Sequence, residues 1–376
     1  MTHRERIIAA LHHEQPDRVP MDLGATIAST MTVGALERMR VFLAFPSEPR
    51  PATFSKRSST VIPDEAILRR FDVDARAVLL GNPDVRADQE LSDDALRDEW
   101  GVTWTRPAGG HYIHTKGPLY GLEEPSLADL ERVGWPDPSD PGRFRGLRER
   151  ARALHQNTDY AVVLNLGVGP IHQCQFLRGF GEFLGDLLMT PAFAEGLLER
   201  VVDYWVELAR GALEEAGEYV DLVVYGDDLG MQKGPLIRPG LYRRMIKPQH
   251  KRMADAVKRH GKPIMYHTCG SVYALIRDLI EVGIDCLNPI QVAAAEMDTR
   301  RLKREFGGEL AFWGGIDNQR VLPRGTPEEV RQEVRRRIED LAEGGGYVLC
   351  AAHNLQQDIP PENIVAMYEA ALEYGR

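Results

Sequence analysis

The stretch VDLVVYGDD (Val220–Asp228) decides the fold class, together with PIMYHTC (Pro263–Cys269) further along the chain. Each is a short apolar run that ends in polar or chemically reactive residues. Between them, Leu241 to His260 carries apolar residues at helical spacing. A strand, an amphipathic helix and a second strand in this order predict parallel strands joined by right-handed crossovers.

The same alternation extends over most of the chain and predicts an α/β fold. Candidate strands are Arg18–Leu23, Ala75–Leu80, Ala161–Leu166, Val220–Tyr225, Pro263–His267, Asp285–Pro289, Leu310–Trp313 and Tyr347–Cys350. Eight strands favour a closed (β/α)8 TIM barrel over a doubly wound open sheet, since no Gly-x-Gly-x-x-Gly turn follows the first strand. A length of 376 residues fits one such barrel with insertions, so residues 1–376 are predicted to form a single domain.

One region departs from the alternation. Trp100–Thr105 and Tyr112–Lys116 alternate like strands, with the turn-forming residues Pro107–Gly110 between them. This pattern predicts a β-hairpin inserted into the barrel near residues 98–118.

Composition excludes several classes of partner. The formal net charge is −10 and no basic block stands apart from acidic neighbours, so nucleic acid is not an expected partner. No run of about 18 apolar residues is present, so no membrane span is expected. Met1 to Ala10 is charged and lacks an apolar signal core, so we expect a cytoplasmic protein.

Polar side chains gather where the candidate strands end, which is the end that carries the active site in barrels of this kind. Asp227 and Asp228 are adjacent, so at most one faces the barrel axis, as a metal ligand, a general base or a substrate anchor; capping of the following helix is the alternative role. The remaining candidates, for substrate binding, are Asp22, Asn165, Tyr225, Asn288, Asp317 and Asn354.

The motif His267-Thr268-Cys269 is the strongest indication of chemistry. Alternate residues of an extended chain point the same way, so the imidazole and the thiol can share one face. Zn²⁺ accepts this mixture of nitrogen and sulfur ligands, and Cys350 at the end of the last strand can complete a three-ligand catalytic site. The alternative is a buried cysteine beside a hydrogen-bonded histidine. His353 is a further candidate, as a ligand, a proton carrier or a structural hydrogen-bonding residue.

Three segments carry a resemblance to the uroporphyrinogen decarboxylase superfamily. They are Glu5–Leu11 with Pro16–Pro20, the strand end Tyr225–Gly230, and Pro360–Ile364. The resemblance implies a (β/α)8 barrel. It also implies one of two activities, because the superfamily contains metal-free decarboxylases and zinc methyltransferases that act with corrinoid proteins.

The segment Met21–Thr26 separates the two branches. It stands where true decarboxylases carry an arginine-rich stretch, and it contains no arginine. His267, Cys269 and Cys350 resemble instead the His-x-Cys…Cys zinc motif of the methyltransferases, with His353 open as an alternative third ligand.

This second resemblance implies a zinc enzyme that moves a methyl group between a small-molecule donor or acceptor and a corrinoid. The sequence has no Asp-x-His-x-x-Gly corrinoid motif, so the cobalamin is expected on a partner protein. The alternatives are a metal-independent decarboxylase of tetrapyrrole metabolism and a non-catalytic barrel that binds a tetrapyrrole or corrinoid.

Overall fold

The computed structural model describes residues 1–108 and 110–376. Its strands are β1 (Met31–Thr32), β2 (Thr53–Ser55), β3 (Thr60–Val61), β4 (Ala75–Leu79), β5 (Gln89–Ser92), β6 (Ala95–Arg97), β7 (Thr103–Thr105), β8 (Ile113–Lys116), β9 (Ala161–Val168), β10 (Leu222–Gly226), β11 (Ile264–His267), β12 (Cys286–Asn288), β13 (Ala311–Trp313) and β14 (Tyr347–Val348).

The helices alternate with the strands from β9 onward. They are α1 (His3–Leu11), α2 (Val33–Phe42), α3 (Glu65–Arg70), α4 (Leu127–Leu130), α5 (Pro141–Phe144), α6 (Leu147–Asn157), α7 (Pro170–Arg178), α8 (Phe180–Met189), α9 (Pro191–Ala216), α10 (Pro239–Leu241), α11 (Lys247–Lys258), α12 (Ile276–Val282), α13 (Thr299–Phe306), α14 (Val321–Arg324), α15 (Pro327–Leu341) and α16 (Pro361–Tyr374). A π-helical turn, Tyr242–Ile246, joins α10 to α11.

Parallel strands form the wall of the barrel in the chain order β4-β9-β10-β11-β12-β13-β14. The gap between β14 and β4 is closed by the predicted first strand, which is reduced here to a bridge at Met21. Met21 pairs in parallel with Leu349, and its carbonyl accepts a hydrogen bond from the Asp74 backbone N–H at 2.8 Å. The predicted (β/α)8 barrel is confirmed.

The barrel interior is filled by alternate residues of the strands. Val224, Met265, Cys286 and Trp313 belong to one buried cluster inside the wall, whereas the intervening residues pack outward against the helices. Alternate residues face opposite sides of a strand, so only the inward-facing residues at the strand ends can reach the barrel mouth. Helix α1 covers the opposite end of the barrel with Ile7, Ala10 and Leu11.

The insertion between β4 and β9 is an antiparallel sheet in the order β5-β6-β7-β8. The predicted hairpin corresponds to β7 and β8, in which Thr105 pairs with Ile113. β5 and β6 extend it into a four-stranded sheet. Gly109, which belongs to the predicted turn, lies outside the described residues. Among the helices that the structure describes, none has the length and apolar character that crossing a membrane requires.

Candidate metal centre at the barrel mouth

The end of β11 presents His267 and Cys269 on one face, as the sequence predicts. The Cys269 Sγ lies 3.6 Å from the His267 Nε2. The loop after β14 brings His353 beside them, with its ring centroid 5.7 Å from that of His267. One ligand atom from each of the three residues lies within 4.8 Å of the others, a spacing that a single metal ion can bridge. We call these three residues the metal-ligand group.

Asn288, at the end of β12, sets the orientation of His267. Its Oδ1 lies 2.7 Å from the His267 Nδ1, and its Nδ2 donates to the Trp313 carbonyl at 3.2 Å. Because the amide nitrogen donates to a carbonyl, the Oδ1 must accept a hydrogen bond from the protonated Nδ1, which leaves Nε2 free as a ligand. Burial lowers the pKa of His267 to about 4, so the imidazole is neutral and able to bind a metal.

Asp228 lies next to the metal-ligand group. Its Oδ1 accepts a hydrogen bond from the Cys269 backbone N–H at 2.8 Å and lies 3.9 Å from the His267 Nε2. Of the two adjacent aspartates, Asp228 therefore faces the mouth, whereas Asp227 is fully buried and turned toward the helices. The sequence argument that at most one of them faces the axis agrees with this arrangement.

Asp227 holds the start of α7 against the barrel. Its carboxylate accepts hydrogen bonds from the backbone N–H groups of Ile171 and His172, at 3.1 and 2.8 Å. The His250 Nε2 contacts the same carboxylate at 3.1 Å. Burial disfavours the charged form, but His172 and His250 outweigh it and hold the pKa of Asp227 well below its usual range. Asp227 therefore caps the N-terminus of α7, which precedes it in the chain, and not the following helix that the sequence analysis considered as the alternative.

His172, which the sequence analysis did not select, lies between the two aspartates. Its Nδ1 is 3.4 Å from the Asp227 Oδ1, and its Nε2 is 3.6 Å from the Asp228 Oδ2. Burial opposes the imidazolium form, but the two carboxylates outweigh it and raise the pKa of His172 to about 10. The residue begins a helix rather than ending a strand, so inspection of strand ends could not find it.

Cys350, the predicted third ligand, is not part of the metal-ligand group. It is fully buried in the barrel interior with Val348 and Trp313, and its Sγ contacts the Ala351 carbonyl at 3.2 Å. The physical reason is the alternation of side chains along a strand. Cys350 follows Val348 by two residues, so its side chain also points into the barrel, below the mouth. The chain must advance to His353 before a side chain reaches His267.

The other predicted binding residues lie at or below the mouth, with one exception. Tyr225 is directed outward, forming a T-shaped contact with Tyr266 at 5.6 Å, because its neighbour Val224 occupies the inward face. Its predicted contact with substrate is therefore corrected. Asp317 accepts hydrogen bonds from the backbone N–H groups of Gln319 and Arg320, and Asn354 accepts one from the Gln356 side chain.

Asp22 and Asn165 lie just below the mouth. The Asp22 carboxylate is fully buried and accepts hydrogen bonds from the Ala25 backbone N–H at 2.9 Å and from the Trp313 Nε1 at 2.8 Å. Burial raises the pKa of Asp22 to about 6. Asn165 donates to the Ala25 carbonyl at 2.9 Å, so both residues fix the loop that follows the first strand.

These features define a TIM barrel with a histidine–cysteine group at the C-terminal ends of its strands. Residues 111–374 match the family described as uroporphyrinogen decarboxylase (URO-D), and the chain belongs to this family. Members of this family and the relatives below are enzymes. The resemblance to the uroporphyrinogen decarboxylase superfamily, stated from the sequence, is confirmed.

Similar proteins include both branches of the superfamily. The methylcobamide:CoM methyltransferase MtbA from Methanosarcina mazei is 22% identical over 379 residues, covering 99% of this chain and 98% of the relative. A uroporphyrinogen decarboxylase from Methylococcus capsulatus is 25% identical over 281 residues, covering 71% and 75%. A solved structure described as a methyltransferase from Methanosarcina mazei has a TM-score of 0.65 at 18% identity, covering 100% and 99%, which shows the shared fold.

Proposed function

We propose that this protein is a zinc-dependent methyltransferase that moves a methyl group between a small substrate and a corrinoid protein. Residues 1–376 would act as one barrel domain in the cytoplasm. The observation that carries the proposal is the metal-ligand group of His267, Cys269 and His353 at the barrel mouth. The near full-length similarity to a methylcobamide methyltransferase supports the same activity.

The donor set fits a catalytic zinc ion. Two imidazoles and one thiolate are borderline-soft ligands, and three protein ligands leave a fourth position for substrate. The Asn288 hydrogen bond fixes the tautomer of His267 in the way that outer partners of zinc ligands commonly do. Cys269 is half-buried, so the thiol faces a partly open mouth.

Zinc bound here would supply Lewis acidity, which favours the thiolate form of a thiol acceptor or polarises the leaving group of a methyl donor. The protein residues orient the reactants. The Asp228 carboxylate fixes the backbone at Cys269, and His172 lies on the other side of the same carboxylate. Asp22 and Asn165 hold the floor of the site.

The corrinoid would arrive on a separate protein. MtbA is named for a methylcobamide substrate, and the present sequence lacks the Asp-x-His-x-x-Gly corrinoid motif. The small-molecule partner is a methyl donor or acceptor.

The test is methyl transfer by the purified, zinc-loaded protein. Methylcobalamin and a simple thiol such as 2-mercaptoethanesulfonate are mixed with it, and demethylation is followed by visible absorption. We expect turnover that stops with a zinc chelator and is lost in Cys269→Ser, with the folded state retained.

Uroporphyrinogen decarboxylation serves as the opposing assay, because decarboxylases are among the relatives. Chelator-insensitive turnover of uroporphyrinogen would support the metal-independent alternative. A spectral change on adding a cobamide, without methyl transfer to any acceptor, would support a binding protein.

A further inference from the structure

A row of aromatic side chains begins at the candidate site and continues along α7. His172 and Phe176 are four residues apart on this helix, which places them on one face. Their rings stack with centroids 5.8 Å apart and an interplanar angle of 24°. The His172 Nε2 is 3.6 Å from Asp228, so the row starts beside the metal-ligand group.

The inserted sheet continues the row. His114 on β8 lies 5.1 Å from Phe176 between ring centroids, and its Nδ1 lies 2.5 Å from the Tyr120 hydroxyl. Trp104 on β7 contacts Phe176 edge-on at 4.7 Å. We call His172, Phe176, His114 and Tyr120 the aromatic row. All four residues are half-buried.

Trp104, which packs against Phe176 from outside the row, is itself held in place. The Arg57 guanidinium covers the Trp104 ring at 4.7 Å from its centroid, and the Trp104 Nε1 donates to Asp98 at 2.8 Å. These contacts support Trp104 from behind, so that it buttresses Phe176. The insertion therefore gives the row a rigid backing.

Beyond His172 the ring groups of the row favour their uncharged forms at neutral pH, with the Glu182 carboxylate close enough to act on both His114 and Tyr120. Burial lowers the pKa of His114, which favours the uncharged imidazole at neutral pH. Burial also raises the pKa of Tyr120, which keeps the phenol protonated. A neutral surface of ring faces and edges is suited to an uncharged planar ring, because aromatic pairs gain from stacked and edge-on contacts beyond the area that they bury.

We infer that the aromatic row is a substrate subsite that binds the ring of an aromatic methyl donor or acceptor. The ring would pack against Phe176 and His114, with its reacting heteroatom directed toward Asp228 and the metal-ligand group. The assignment of this ring to a methyl substrate rests on the proposed function, whereas ring binding itself needs no metal.

A matched pair of neutral probes tests the subsite. We choose 2-methoxyphenol and its saturated analogue 2-methoxycyclohexanol, titrated separately by ligand-observed NMR into zinc-loaded and metal-free protein. Aromatic contacts are worth about 0.5–1.5 kcal/mol, so the aromatic probe should bind about 2- to 13-fold more tightly in both forms.

The variant Phe176→Leu should remove this preference, since it keeps an apolar side chain but loses the ring. Phe180→Leu is the control, because Phe180 is exposed at the start of α8 and lies outside the row. Thermal unfolding of each variant would establish that it remains folded.

Equal affinity for the two probes in the wild type would overturn the inference. Binding of neither probe, or an unchanged preference in Phe176→Leu, would overturn it as well. A ring preference without zinc binding or methyl transfer would contradict the proposed function and leave the subsite standing. Methyl transfer without a ring preference would contradict the subsite and leave the proposed function standing.

Discussion

Cys350 and His353 are three residues apart, and their positions assign them different roles. His353 lies with His267 and Cys269 at the mouth, whereas Cys350 lies inside the barrel. We therefore predict that His353→Ala lowers zinc affinity by more than the 10- to 100-fold typical of an outer-shell loss. Competition with a chromogenic chelator measures this affinity.

Cys350→Ala is the control for this experiment, because it removes a thiol from the same chain segment without touching the metal-ligand group. It should retain stoichiometric zinc. If Cys350→Ala lost its zinc while His353→Ala kept it, the third ligand would be Cys350 as the sequence motif suggests.

Asn288 orients His267 and should therefore also affect zinc binding. Asn288→Ala removes the acceptor that fixes the His267 tautomer, so zinc affinity should fall by about 10- to 100-fold. Asn288→Asp keeps an acceptor at that position and should retain affinity nearer to that of the wild type. Comparable chelator competition curves for Asn288→Ala and the wild type would show that the hydrogen bond is irrelevant to metal binding.

The positions of individual side chains were the features that the sequence predicted least well. Strands buried on both faces read as continuous apolar runs, so the outward position of Tyr225 and the depth of Cys350 could not be read from hydrophobic alternation. His267 and Cys269 could be predicted because they extend past the apolar run with the correct two-residue spacing. His172 carries no comparable pattern, since its importance comes from two carboxylates on a different element.

Among the elements, α7 connects the barrel wall to the aromatic row, and Asp227 holds its first turn. Asp227→Asn should destabilise the protein by about 1.5–3 kcal/mol, the usual contribution of hydrogen bonds to a charged group. Urea unfolding at neutral pH measures the loss. Asp228→Asn is the control, because Asp228 is partly exposed and should cost less stability while impairing methyl transfer.

The pH dependence of this difference follows from the direction of the pKa shift. The pKa of Asp227 is depressed in the folded state, so its contribution is fully present above the unfolded value of about 3.9. The contribution is lost as pH falls below that value toward the folded pKa. The stability gap between wild type and Asp227→Asn should therefore narrow below about pH 4, and a gap that widened there would contradict the assignment.

Closure of the barrel depends on Asp74. This fully buried carboxylate accepts the Met21 backbone N–H at 2.7 Å and pairs with Arg18 at 2.8 Å and Arg6 at 3.3 Å. Asp74→Asn removes the buried carboxylate and leaves Arg18 and Arg6 only the half-exposed carboxylates of Asp72 and Asp17. We therefore expect a loss of about 3–5 kcal/mol in the free energy of unfolding, as when one partner of a buried ion pair is removed. Denaturant titration measures this loss.

Asp17→Asn is the matched surface control, because Asp17 pairs with the same Arg6 but is 44% exposed. Asp17→Asn should lower the free energy of unfolding by less than about 1 kcal/mol. Zinc affinity should be unchanged in both variants, since neither residue is near the mouth. A stability loss for Asp17→Asn equal to that for Asp74→Asn would contradict burial as the cause.

The barrel could be predicted because each strand and helix shows its hydrophobic pattern within its own few residues, and the order of these patterns gives the alternation of strands and helices. The first strand was also correctly placed in the sequence, although only Met21 forms a bridge. Of the four strands in the insertion, the sequence predicted β7 and β8 but not β5 and β6. β5 is exposed at every position, so it carries no apolar alternation to detect.

Zinc K-edge X-ray absorption of the purified, zinc-bound protein identifies the metal ligands. We expect one sulfur at about 2.3 Å and two imidazole nitrogens at about 2.0–2.1 Å per zinc ion, from Cys269, His267 and His353. The His353→Ala variant should lose one of those nitrogens or the metal itself. Two sulfur ligands per zinc, or a protein that takes up no stoichiometric zinc, would contradict it.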